Sequence, residues 1–413
     1  MSRVICGVDQ ADGKLHPNEP NLAKDLRELG TAGKWIQIPD DATGVPRRVR
    51  LVVYHIVSSA DYLGALSMLP FSESPRAHIF CRDCDVDSSN PDCHRPFSFL
   101  RRRDGSRGIK ERNWLELQQI IAKLRKGDKN AKTAKTIMHD RGLNKLFFAL
   151  DPDYVPHINP ITIAPVDLLH LFPDGLLRSE LAWLVYIFIK MGLTIEAINK
   201  RVKSFCKSSK TFPKDVRIPL FKDKLAKGIA GGVPDSSSTV NMTGSQCMHF
   251  SLHRCVCAIA VAPMICVLTR LLLFCPCRSV EILQPILTKA MMSHPAWASW
   301  VKLVELFTIS VQTKLAVSDV ALIDDLQLEH SKLFDLVPEY HGLKRPKHHF
   351  LTHLPDHVYR YGPPRGFWCF GFEAFNRIIK RGARMSNWKN TTVSIMQYWS
   401  ARSARAFMRM RGS

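Results

Sequence analysis

The tripeptide Gly362-Pro363-Pro364 constrains this chain more than any other short feature. Paired prolines cannot lie inside a helix, because each lacks an N–H donor and its ring clashes with the preceding turn. They break the stretch Pro346 to Lys380 (PKHHFLTHLPDHVYRYGPPRGFWCFGFEAFNRIIK), and a helix is expected to start beyond them. Ahead of the break stands a histidine cluster, His348, His349, His353 and His357. Beyond it Trp368, Phe372, Phe375 and Ile379 recur at helical spacing, so one apolar face is expected to pack with Glu373 beside it. Asn376, Arg377 and Lys380 follow Glu373 at helical spacings. The pattern fits a carboxylate aimed at phosphates, but on this stretch alone a solvated Glu373–Arg377 pair, worth about 0.2–0.5 kcal/mol, is preferred.

Charge narrows the partners. Lys and Arg outnumber Asp and Glu by 58 to 37, a net charge of +21 distributed along the chain. Polyanions are the expected partners, nucleic acid before membrane, because the aromatics do not form an interfacial helix. Binding through such charge is salt-dependent and carries no sequence preference.

The 12 cysteines follow no apolar leader, and Met1 to Gln10 is polar, which points to reduced, intracellular thiols. Cys81 and Cys84 form a C-x-x-C, followed by adjacent Cys93 and His94. Those four are a candidate tetrahedral zinc set, with ordinary free thiols as the alternative. The run Val256 to Cys275 approaches bilayer-spanning length but contains Pro263 and Arg270. It reads as a single membrane span, a buried helix or sequence foreign to the fold, the last preferred.

Along the chain, Leu22, Leu26 and Leu29 have helical spacing. Val49 to Val57 reads as a buried strand, and Tyr62 to Leu69 as a helix after it. Asp61 lies just past the strand, where it either caps the helix or presents a functional carboxylate. Arg101, Arg102 and Arg103, then Lys123 through Lys135, read as solvated or phosphate-contacting cations. Asp167-Leu168-Leu169-His170 precedes an apolar helix, Leu176 to Met191, with Asp167 as its candidate cap. Gly228 to Ser245 is the expected internal boundary. Two long amphipathic helices follow, Ala296 to Leu315 and Ser318 to Val337, and Arg402, Arg405 and Arg409 share a face near the end.

Together these residues resemble the catalytic region of eukaryotic cut-and-paste transposases, nearest the CACTA (En/Spm-like) group. Ser59-Ala60-Asp61-Tyr62-Leu63-Gly64 with Cys81-Arg82-Asp83-Cys84 is similar to its G-D-N-L-G…C-R-x-C block. Asp167 to His170 with Gly175 is similar to D-x-x-H…G, and Lys347 through Glu373 to K-x-H…H…G-P…W…F-E. The resemblance implies an α/β fold, a partial RNase H-like core with a large α-helical insertion, mostly helical overall. It divides the chain into a core segment at 1–110, the insertion at 111–345 and a catalytic-helix segment at 346–413. It implies three carboxylates holding Mg²⁺ or Mn²⁺ for DNA strand cleavage and transfer. Asp61 would be the second acid and Glu373 the third. Asp167 and His170 would be accessory, and Cys81 and Cys84 structural or zinc-linked.

The sequence departs from the pattern in lacking the first acid's block ahead of Asn21. The expectation is therefore a truncated, inactive transposase derivative in the nucleus, with a non-catalytic DNA-binding protein as the alternative. Arg101, Arg102, Arg103, Lys347, Arg377 and Lys380 are the candidate DNA contacts. Self-association is open, and a membrane partner is not expected.

Overall fold

The computed structural model describes residues 34–38, 47–51, 62–72, 77–88, 110–127, 131–148, 150–153, 158–208, 283–371 and 391–411, with a few single positions that include Glu373, Lys380, Arg381 and Arg384. Asp61, Cys93, His94, Arg101, Arg102, Arg103 and Arg377 lie outside this set, as do the Gly228–Ser245 boundary and the Val256–Cys275 run.

The described chain is mostly helical. Its sheet is a two-stranded antiparallel pair, β1 (Lys34–Ile38) and β2 (Arg47–Leu51), with Lys34 opposite Leu51 and Ile38 opposite Arg47. The strand expected at Val49 to Val57 thus begins earlier, and its later residues fall outside the described set. Helix α1 (Tyr62–Met68) follows as expected.

Helix α2 (Trp114–Arg125) starts where the Asn113 side chain accepts the Leu115 N–H at 2.9 Å, and buries Leu117, Ile121 and Leu124 along one stripe. Gly127, at φ 74°, ends that turn in a conformation that favours glycine. The basic stretch from Lys123 therefore breaks before α3 (Ala131–Asp140). Leu66, Leu69 and Phe71 pack with Leu117, Ile121 and Phe148 in a small apolar cluster.

The main core is built around α4 (Leu168–Leu171), a π-turn (Phe172–Leu176) and α5 (Leu177–Lys190). Asp167 caps α4, its Oδ2 accepting the His170 N–H at 3.1 Å. Trp183, Leu184, Val185 and Phe188 are buried on several sides of α5, which accounts for its nearly unbroken apolar sequence. Helix α6 (Ile195–Ser208) follows. After a short α7 (Lys289–Met292), α8 (Pro295–Ser310) and α9 (Val317–Asp335) form a helical hairpin against α5. Trp300 and Phe307 of α8 and Phe334 of α9 fill the space beside Trp183 and Phe172.

Helices α10 (Pro346–Leu351) and α11 (Leu354–Tyr361) then run over this core and stop at Gly362, whose φ of 77° leads into Pro363-Pro364. The chain closes on α12 (Thr391–Arg411). No helix among the described residues is long and apolar enough to cross a membrane.

Gly175 in the π-turn has a packing reason. A Cβ there would lie 2.5 Å from the His170 carbonyl oxygen and 2.8 Å from Lys347 Cδ. Gly175→Ala is expected to cost about 2–3 kcal/mol, because backbone rather than a side-chain tip must yield. A melting temperature equal to the wild type's would contradict that tight approach.

Candidate metal centre

Two segments far apart in sequence build the centre. The Cys81–Cys84 loop is held open by Arg112, whose Nη1 donates to the Cys81 carbonyl at 3.1 Å and whose N–H bonds the Asp83 carbonyl at 3.1 Å. The Asp83 N–H turns inward to the Cys81 sulfur at 3.4 Å. Opposite stand His349 on α10 and His353 at the α10–α11 turn, four residues apart and so on one side of the helical path.

The four donors converge. Cys84 Sγ lies 3.1 Å from His349 Nε2, Cys81 Sγ 3.4 Å from His353 Nε2, and the two Nε2 atoms are 3.2 Å apart. Tetrahedral zinc, with bonds of about 2.3 Å to sulfur and 2.0–2.1 Å to nitrogen, requires S–N edges of about 3.6 Å and N–N edges of about 3.3 Å. The spacing is that of a tetrahedral Cys₂His₂ cage, slightly contracted. All four ligand atoms lie within 4.8 Å of one another. This group can hold a divalent metal, and its two thiols and two imidazoles suit zinc and disfavour Mg²⁺.

Burial sharpens the case. Cys81, Cys84 and His349 are all at most 2% exposed, beneath Phe80 and Phe350. Burial opposes ionisation of both thiols. At Cys81 it is overcome by the Cys84 thiol, His353 and His349, which hold Cys81 well below its ordinary range. At Cys84 burial and the neighbouring Cys81 push the thiol up. Burial also works against a cation at His353, yet the Cys81 sulfur raises that imidazole to about 9. Zn²⁺ with two thiolates would keep this interior neutral overall while replacing a hydrogen-bonded ion pair with direct metal–ligand bonds. Ligand deprotonation then makes metal affinity pH-dependent.

An outer layer fixes the geometry. His357 Nδ1 accepts the Val166 N–H at 3.0 Å, so its proton is on Nε2, which donates to Asp83 Oδ1 at 3.1 Å. Burial alone would raise the Asp83 carboxyl, but Arg82 and His357 hold it below its usual range. Removing such a partner commonly weakens metal binding 10- to 100-fold. His357→Ala is expected to lower zinc affinity by about that factor, measured by competition with a chromogenic chelator; unchanged affinity would sink this role for His357.

Asp167, His170 and Cys369 also cluster. Here Asp167 Oδ2 and His170 Nδ1 are 2.5 Å apart, a hydrogen-bond distance too short for two ligands of one metal ion. Asp167 Oδ1 accepts the Cys369 N–H at 2.7 Å, and the Cys369 carbonyl accepts the Glu373 N–H at 2.9 Å. Asp167 thus ties α4 to the first turn of the segment carrying Glu373, in addition to its expected capping role.

The expected site residues are distributed unevenly. Cys81 and Cys84 meet His349 and His353 rather than a partner from their own neighbourhood, and Cys93 and His94 lie outside the described residues. Lys347, a candidate DNA contact, is directed inward: its Nζ donates to the His170 and Asp174 carbonyls at 2.7 and 3.0 Å. Burial lowers its pKa to about 8. Glu373 is half-buried, and Lys380 is exposed. The one sequence signal for His349 and His353 is their H-x-x-x-H spacing.

No family model, curated protein or solved structure matches the chain. Geometry and chemistry therefore carry the functional reading.

Proposed function

We propose that the chain is a transposase-derived DNA-binding protein in which a Cys₂His₂ metal centre is structural. One observation carries the reading: the blocks that support the transposase resemblance meet in space. The C-R-x-C block contributes Cys81, Asp83 and Cys84; the block near 348–357 contributes His349, His353 and His357; the segment opening the D-x-x-H block contributes Val166. Contact across up to 274 residues of sequence supports treating them as parts of one module.

In this reading residues near Asp61 belong to an RNase H-like core, and the helices from α2 to α9 belong to its insertion. Asp61 and Glu373 would hold Mg²⁺ or Mn²⁺, whose role is to polarise phosphate oxygens and lower the pKa of water. The reading is a DNA-binding protein in the nucleus, with strand cleavage as the alternative that the test separates from it. The net charge of +21 provides the attraction to phosphate.

The test uses the full, zinc-loaded chain with a fluorescent duplex. Binding is expected at 50 mM salt, weakening by orders of magnitude at 200 mM and surviving Glu373→Ala. No binding at either salt concentration would overturn the reading. Mn²⁺-dependent cleavage abolished by Glu373→Ala would replace the binding protein with an active nuclease.

A further inference from the structure

We infer that α12 is the chain's principal phosphate-contacting element, a helix that lies against the backbone of duplex DNA. The inference rests on the DNA-binding reading above and assigns it a surface. From Arg377 to Ser413 the sequence contains nine Lys and Arg residues and no Asp or Glu. Nine of the +21 surplus are thus concentrated at this end. Lys380, Arg381, Arg384 and Arg402 are exposed.

Helix α12 differs from the other long helices in what it buries. Where α5 and α8 bury most of their apolar side chains, Val393, Met396 and Trp399 of α12 remain 56%, 53% and 37% exposed. On its backbone Arg402, Arg405 and Arg409 fall within one turn-aligned face, with Tyr398 in the same row. At 1.5 Å per residue the three arginines span about 10 Å, roughly three base-pair rises along the duplex axis. Tyr398 adds a hydroxyl that can donate to phosphate.

Charge chooses the occupant. A second copy would set one acid-free helix against another and repel it. An anionic bilayer would need a continuous apolar face, but Ser400 and Ser403 interrupt the row opposite the arginines. A polyanion with regularly spaced phosphates fits both the sign and the periodicity.

The experiment measures log K against log salt for a 20-base-pair duplex. It compares wild type, Arg402→Gln/Arg405→Gln/Arg409→Gln, and Lys200→Gln/Lys203→Gln/Lys207→Gln. The latter triple removes three exposed cations of identical spacing from α6. The α12 triple is expected to flatten the slope by about 2–3, near 0.9 for each lost phosphate contact, and the α6 triple by less than about 1. Equal slopes for both triples, or an α12 triple matching wild type, would overturn the role of α12 while leaving DNA binding intact. No duplex binding by wild type would overturn both readings. Arginine-dependent binding to phosphatidylserine vesicles without duplex binding would replace DNA with a membrane.

Discussion

Chelation of the purified protein is expected to lower its melting temperature by about 10 °C and to make the Cys81–Cys84 loop susceptible to protease. A metal held at 1,000 times its dissociation constant adds about 4 kcal/mol to folding. For a folding unit of about 150–250 residues each kcal/mol shifts the midpoint by roughly 2–4 °C. Arg112 grips two carbonyls of the loop and His357 grips Asp83, and a metal would add the two bonds that tie its cysteines to α10 and the α10–α11 turn. Without metal a raised Cys84 thiol and a cationic His353 remain packed in the interior.

The same centre predicts a stoichiometry. Elemental analysis should find one zinc per wild-type chain and none in His349→Ala. Cobalt substitution should give the visible absorption of a tetrahedral S₂N₂ site. Cys369→Ala is the control, a buried thiol outside the centre that should retain both metal and the chelation effect. Metal-free wild-type protein with an EDTA-insensitive melting temperature would dispose of the centre.

Local chemistry was readable in the sequence, and long-range pairing was not. The helices at α5, α8 and α9 follow from apolar periodicity, although α8 stops at Ser310, five residues short of the expected Leu315. Pro295 opens α8, and Asp319 Oδ2 accepts the Ala316 N–H at 2.7 Å to open α9. Gly362-Pro363-Pro364 stops α11 where a left-handed glycine and two prolines must. Asp167 caps α4 as its type and position suggest.

The C-x-x-C was visible as half a metal site, but its other half lies 265 residues away from Cys84. Adjacent Cys93 and His94 draw attention because sequence reasoning weighs nearby donors most heavily. Two vicinal ligands fit one tetrahedron poorly, whereas an i, i+4 histidine pair aims both rings at one point. His348 and His349 show the same limit: as neighbours about 100° apart around α10, they enter different environments, and sequence does not say which.

Removing the Glu180 carboxylate is the substitution expected to destabilise the helical core most. Glu180 on α5 is 1% exposed, with its Oε2 2.9 Å from His330 Nε2 on α9 and its Oε1 3.3 Å from His348 Nε2 on α10. His348 Nδ1 accepts the Arg345 N–H at 2.9 Å, so the proton facing Glu180 is on Nε2. Trp183 stacks on His348, and the Arg345 guanidinium lies 5.3 Å from the Trp183 ring centroid. Glu180→Ala removes the hydrogen-bond acceptor of His330 and the carboxylate facing His348, and is expected to cost about 3–5 kcal/mol.

Acid provides an independent readout. Burial would raise the Glu180 carboxyl, but His330 and His348 outweigh it and hold the group at about 2, against an ordinary value of 4.5. A depressed carboxylate stabilises the fold above its unfolded value and loses that contribution as pH falls from about 4.5 towards 2. The integral is about 3–4 kcal/mol, using roughly 1.4 kcal/mol per pKa unit. Glu180→Gln should therefore be less stable than wild type at pH 7, with the two curves converging below about pH 3. Parallel stability curves from pH 5 to 2.5 would show that the carboxylate carries no such charge.

Glu180 also bears on the metal centre. It fastens α10 through His348 while the centre fastens it through His349, one residue on, so loosening one side should loosen the other. In a double-mutant cycle Glu180→Gln and His353→Ala are expected to be non-additive by about 0.5–3 kcal/mol. Strict additivity would mean that α10 is rigid enough to be held from either side alone.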